Sequence, residues 1–209
     1  MMLPGIIAPL VMFIILPWVV TLMPFLGEFI GITADNMNDI QGLINRMPAV
    51  DQQELAGYDL YQGFVVYFLV YLMAPFFLII PRMVSSVIAA DSFAGEKERK
   101  TMEALLYTPT TDRELLVAKL LSGWLAALAI ALVGFVLYVV MANAAAWSQM
   151  HRIFFPNTMW LVLIIWVVPA IPGLGLGIMV LVSSRAEGFQ DAYQMGSVVV
   201  LPVVLLVVG

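Results

Sequence analysis

Cysteine is absent from the 209 residues, which excludes disulfide bridges and thiolate metal sites. Histidine occurs once, at His151, so neither H-E-x-x-H nor a multi-histidine metal centre can be built. Neither G-x-x-x-x-G-K-[ST] nor G-x-S-x-G occurs, so the chain cannot cradle ATP phosphates by the P-loop route and has no nucleophile elbow. Gly173, Gly175 and Gly177 lie in an apolar run and make a poor phosphate loop. Charge is also scarce. Asp, Glu, Lys and Arg make up 11% of the chain, against about 25% in a soluble domain. With 63% hydrophobic residues and a mean hydropathy of +1.01, the polar groups could not cover a globular surface.

The long hydrophobic runs carry the fold. Uncharged stretches cover 1–27, 60–81, 120–150, 153–184 and 192–209, with His151 taken as a boundary. A helix needs roughly 20 apolar residues to cross a bilayer. The arithmetic predicts an all-α polytopic membrane bundle with five spans, at about 4–26, 62–83, 120–142, 158–182 and 193–209, in one transmembrane domain. The first run begins at Met1 with no Lys or Arg before it and is too long for a signal-peptide core, so it reads as a retained span.

Net charge is −5, but in a membrane chain its distribution matters more. Seven of the nine basic residues, Arg82, Lys97, Arg99, Lys100, Arg113, Lys119 and Arg185, lie between runs two and three or between runs four and five. Only Arg46 and Arg152 lie in the other loops. The positive-inside rule therefore puts the 91–118 segment, the link at 185–191 and the N-terminus in the cytoplasm, and the 28–59 loop and a 143–157 turn outside.

The first run holds Pro4, Pro9, Pro17 and Pro24, and the second Pro75 and Pro81, each of which deletes a backbone donor and bends its helix. The fourth, with Pro169, Pro172 and three glycines, is expected to break or bend in its middle. In the outer loop, six acids (Glu28, Asp35, Asp39, Asp51, Glu54 and Asp59) accompany Ile40, Leu43, Ile44 and Met47 at helical spacing, the pattern of an amphipathic helix on the outer surface. Arg82, near an inner end, reads better as a snorkelling side chain than as a transport residue. Gly123, Ala127 and Ala131 form a four-spaced small-residue stripe, and Gly173 and Gly177 match G-x-x-x-G; both are assigned to helix packing. No internal repeat supports an inverted-repeat transporter.

Residues 91–119, DSFAGEKERKTMEALLYTPTTDRELLVAK, form the one sizeable cytoplasmic segment. On a helix, Met102, Leu105 and Leu106 share a face, while Glu96 and Lys100 pair on the other. Pro109 ends that helix, and Thr111 with Glu114 forms a capping box from which a second helix runs through Lys119 into the third span. Glu98, Glu103 and Glu114 disfavour anionic headgroups as the cover for the apolar face, so a protein partner fits it better.

This string resembles the cytoplasmic signature of permease subunits of type-2 ABC exporters, at Glu96, Glu98, Thr101, Glu103, Leu105, Leu106, Pro109, Glu114, Leu115 and Lys119. The link Ser183–Ala192 is similar to that family's second cytoplasmic connection. The resemblance implies that residues 96–109 are a coupling helix contacting a separate ATP-binding subunit through Glu96, Glu98, Thr101, Met102, Glu103, Leu105, Leu106 and Pro109. It also implies a second permease subunit, as a homo- or heterodimer, in a prokaryotic plasma (inner) membrane. ATP hydrolysis would belong to that other subunit. No catalytic, cofactor-binding or metal-ligating residue is assigned, and no nucleic-acid partner is expected. The family usually has six spans and a basic amphipathic segment before the first, so the five runs predict a truncated sequence or a split gene product. Two other classes remain open: an intramembrane enzyme, for which only Arg82 supplies an ionisable group, and a non-transporting scaffold that uses the same helix to recruit a partner. The acidic outer loop is compatible with cations, lipids, peptides or no ligand.

Overall fold

In lipid an apolar run satisfies its peptide groups by becoming a helix. The computed structural model describes residues 11, 13–23, 41–42, 45–92, 111–183, 190 and 194. Among the described residues no strand occurs. The helices are α1 (Phe13–Met23), α2 (Ala49–Leu55), α3 (Leu60–Val66), α4 (Met73–Phe77), α5 (Ile79–Ala90), α6 (Asp112–Met150), α7 (Thr158–Val162) and α8 (Val168–Ser183). Two π-helical segments, Tyr67–Leu72 and Leu163–Val167, join α3 to α4 and α7 to α8. Among the described residues, three helical stretches are long and apolar enough to cross a membrane: Tyr61–Ala90, Arg113–Met150 and Thr158–Val182. The fold is an all-α membrane helical bundle. The fifth expected span, at 193–209, and Ile40, Leu43 and Ile44 of the expected surface helix lie outside the described residues apart from Gln194. In that loop the described helix is α2, and Met47 sits in the turn before it.

Helix α6 extends past 120–142 at both ends. Its alanine-rich stretch Asn143–Ala146 contains no breaker, so the helix continues to Met150 and the expected 143–157 turn shortens to 151–157. It stops at His151, which takes φ 48°, a left-handed C-terminal conformation, while its N–H donates to the Trp147 carbonyl at 3.0 Å. The 39 residues of α6 span about 58 Å at 1.5 Å per residue, against a hydrocarbon core of about 30 Å, so the helix projects beyond the hydrocarbon. Asn143 anchors the short turn that follows. Its amide donates to the Phe155 carbonyl at 2.6 Å and its oxygen accepts from the Phe154 N–H at 3.1 Å. Asn157 then caps α7, its side-chain oxygen accepting from the Trp160 N–H at 3.2 Å.

The described residues fall in two compact units, one within Ile7–Phe77 and Val133–Val162, the other within Leu78–Leu132 and Leu163–Gly209. The first is built around aromatic rings. Phe13, Phe77, Tyr138, Phe155 and Trp160 are buried and meet edge to face, with centroid separations of 4.9 Å for Phe155–Trp160, 5.1 Å for Phe13–Tyr138 and 5.3 Å for Phe77–Trp160. Such contacts matter in a bilayer, where lipid tails are as apolar as leucine and helices associate by packing and hydrogen bonds.

Two of these rings also carry donors. The Tyr138 hydroxyl donates to the Leu69 carbonyl at 2.6 Å and the Trp160 indole to the Val70 carbonyl at 2.7 Å, both in the π segment that precedes Pro75. A π register followed by a proline, which has no N–H, leaves carbonyls short of donors, and neighbouring helices supply them. A second instance lies at the end of α1. Residue 24 is proline, so the Val20 carbonyl has no i+4 donor from the backbone. The Tyr61 hydroxyl lies 3.3 Å from that oxygen and 3.0 Å from the Thr21 carbonyl, to which the Gln149 amide also donates at 2.9 Å. Gln62 in turn donates to the Gln149 carbonyl at 2.8 Å and accepts from the Asp59 N–H at 3.2 Å, capping α6 and α3 together.

Tyr138→Phe keeps the ring in the cluster and removes only the donor to Leu69. An interhelical hydrogen bond in a membrane protein contributes about 0.6 kcal/mol on average, up to about 1.7. The variant should therefore lose about 0.6–1.7 kcal/mol in unfolding titrations of the purified protein in detergent, and unchanged stability would show that the Leu69 carbonyl does not need this donor.

Candidate functional site

Glu96, Glu98, Thr101, Met102, Glu103, Leu105, Leu106 and Pro109 lie outside the described residues. Both roots of the segment that carries them are described. The first is the end of α5, where Ala89 and Ala90 are buried and the helix runs on through Asp91 and Ser92 in π register. The second is the start of α6, where the capping box forms. The Thr111 N–H and hydroxyl donate to Glu114 Oε2 at 2.9 and 2.8 Å, and the Glu114 N–H meets Thr111 Oγ at 3.4 Å. Lys119 joins the roots, its ammonium donating to the Ser92 carbonyl at 2.9 Å across 27 residues of sequence.

Behind these roots the helices pack closely. Ala89, Ala90, Leu176 and Met179 form one buried cluster, with Leu120 and Trp124 packed against it, so α5, α6 and α8 all contribute. Small residues allow the approach. A Cβ at Gly175 would lie 2.8 Å from the Ser85 hydroxyl, and one at Gly123 would lie 3.0 Å from Leu176 Cδ2 and 3.4 Å from Ile88 Cγ2. Ser85 is fully buried and donates to the Arg82 carbonyl at 2.9 Å, which fixes its rotamer beside the glycine. The Trp124 indole donates to the Pro169 carbonyl at 2.8 Å, where Pro169 and Pro172 weaken the α8 ladder.

The small residues singled out from the sequence occupy different environments. Gly123 meets α8 and α5, and Ala127 and Ala131 are fully buried further along the same face of α6. Gly173 and Gly177 are exposed, and a Cβ on either would meet nothing within 4 Å. Gly175, between them, makes the close approach. Arg82 is half-buried in α5. Sequence reasoning did not find Ser85, Trp124, Leu176 or the Lys119–Ser92 bond. The available signals were a serine pair in an otherwise apolar run and a tryptophan one residue after a small-residue position.

A family model described as ABC-2 family transporter protein matches residues 5–209. No curated protein and no solved structure matches the chain.

The glycine geometry gives a contrast within one helix. Gly175→Val must push Ser85 off the Arg82 carbonyl or part α5 from α8, an overpacking cost of about 1–3 kcal/mol. Gly177→Val meets open space within the chain. Thermal unfolding in detergent should therefore show a lowered midpoint for the first variant only, and equal effects of the two would contradict the packing described.

Proposed function

This chain belongs to the ABC-2 family of transporter proteins, and from that premise we propose that it is the permease subunit of an exporter energised by a separate ATP-binding subunit seated on residues 96–109. As a family member it is a multi-pass membrane protein and an ABC transporter permease. The ATP-binding partner, the direction of transport, a homo- or heterodimeric assembly, the prokaryotic plasma membrane and the cytoplasmic placement of the N-terminus and the 91–118 segment are this reading's own. ATP hydrolysis takes place on the partner, since the chain has no P-loop.

The observation that supports the reading best is the way the segment is rooted. A hydrogen-bonded cap at Thr111 begins a helix of 39 residues with no linker between them, so a push on residues 96–109 enters a membrane span at once. The Lys119–Ser92 bond keeps the other root in step, and the Ala89, Leu176 and Met179 cluster passes the movement to α8. The face of Met102, Leu105 and Leu106 is the proposed seat for the partner, with Glu96, Glu98, Thr101, Glu103 and Pro109 around it. The exposed Gly173 and Gly177 are assigned to packing against a second permease subunit.

Burying a leucine-sized side chain contributes about 1.5–3 kcal/mol, so charging two of them should abolish a moderate affinity. Leu105→Asp combined with Leu106→Asp is expected to release the ATP-binding subunit on co-purification and to end ATP-dependent transport in reconstituted vesicles. Glu103→Lys should have a smaller effect, mainly on association rate and salt dependence. If the double variant stays folded and retains both partner and transport, the segment is a solvated connector and the energising reading fails.

A further inference from the structure

Within the unit that holds α2, the first π segment and the 151–157 turn, Glu54, Tyr58, Val66, Val70, Phe154 and Leu161 line a cavity of about 330 Å³. That volume falls at the small end of the range for small-molecule pockets, about 300–1,000 Å³. One charged side chain sits in its wall. Glu54 Oε2 accepts from the Tyr71 hydroxyl at 2.9 Å and from the Asn157 amide at 3.3 Å. These two donors, from a π segment and a helix cap, are neutral. They orient the carboxylate and leave its charge unbalanced. The arginine of the adjacent turn is committed elsewhere, since the Arg152 guanidinium lies 4.1 Å over the Tyr58 ring and donates to the Gly57 carbonyl at 3.4 Å.

The cavity thus combines an oriented carboxylate without a cationic partner among the described residues, an aromatic ring that already holds one cation on a face, and aliphatic walls from Val66, Val70 and Leu161. An anion would be repelled by Glu54, and a hydrated metal ion would leave the aliphatic walls without a contact. We infer that this cavity binds a small organic cation, an ammonium group held at Glu54 with an apolar body against Val66, Val70 and Leu161. A soluble amine and the headgroup of phosphatidylethanolamine share that chemistry. The inference goes beyond the permease reading and does not require it, because binding needs neither ATP nor a partner subunit.

The test uses the full chain in nanodiscs of phosphatidylglycerol, titrated calorimetrically with benzylammonium, which carries N–H donors for the carboxylate and an apolar ring for the aliphatic walls. Wild type should bind one equivalent. Glu54→Gln keeps an acceptor for Tyr71 and Asn157 and removes only the charge, so affinity should fall about tenfold, the loss typical of one charge-assisted contact. Asp51→Asn, which removes an acid one turn away on the same helix, should bind as wild type does. Leu161→Ser, at an exposed position, should also weaken binding, which gives a second readout that does not depend on Glu54. No binding to wild type, equal affinity in wild type and Glu54→Gln, or equal losses in Glu54→Gln and Asp51→Asn would overturn the site. Repeating the titration with phosphatidylethanolamine in the disc separates the two sources. Competition in wild type that vanishes in Glu54→Gln supports the site with the headgroup as occupant, and unchanged affinity supports it with a soluble cation.

Discussion

A peptide carbonyl inside a bilayer has no water to turn to, and this chain places proline, which lacks an N–H, inside its spans. A proline withholds the N–H that the carbonyl four residues earlier, or five in π register, would accept, and a side chain from another helix can supply that donor. The Val20 and Thr21 carbonyls, just before Pro24, are met by Tyr61 and Gln149. Leu69 and Val70, before Pro75, are met by Tyr138 and Trp160. The Trp124 indole likewise donates to a span carbonyl, that of Pro169, just after the second π segment. The polar atoms of the apolar spans are few, and those that pair with bent backbone fix which helices lie side by side.

The same requirement decides where the spans deform. The π segments Tyr67–Leu72 and Leu163–Val167 each end within three residues of a proline, Pro75 and Pro169, and π turns inside helices are often found where a protein moves or binds. Between Thr111 and Met150, by contrast, α6 contains no proline and remains one α-helix from its capping box to its left-handed stop. A transporter that responds to a push at one end needs both kinds of element: a stiff member to carry the displacement and jointed members to change shape around the cargo. The close approach of Gly175 to Ser85 and of Gly123 to Leu176 keeps α5, α6 and α8 in register at the end where the push would arrive.

Much of this was legible in the residues because the signals are local. The uncharged runs at 60–81, 120–150 and 153–184 marked three membrane-length helical stretches, Pro75 and Pro169 lie just after the π segments of two of them although neither stretch breaks, and Thr111 with Glu114 marked the start of α6, where the box forms with the expected partners. The acids of the 28–59 loop could be counted but not ranked, since what sets Glu54 apart is its meeting with Tyr71 and Asn157, and those three are separated by up to 103 positions. Tyr138 and Trp160 read as hydrophobic bulk because a hydropathy scale does not register one donor on a large ring. The glycines of α8 pose the same difficulty. Residues 173 and 177 lie on one helical face and 175 on the opposite one, and only the position of Ser85 says which face is crowded. The end of α6 was placed too early because asparagine and serine among the alanines resemble turn composition, while the Asn143 side chain in fact holds the following turn against the helix.

The reading of this permease as one half of an ATP-driven machine depends on physical contact at residues 96–109, and a chain without native cysteine allows that contact to be tested by chemistry at a single atom. With Leu105→Cys as the only thiol, a bifunctional thiol-to-amine reagent applied to native membranes should give one cross-linked product with an ABC ATP-binding protein, and its yield should change when ATP is trapped in the complex. A Leu105→Cys protein that is folded and thiol-reactive from the cytoplasmic side, yet gives no such product in any nucleotide state, would contradict the account.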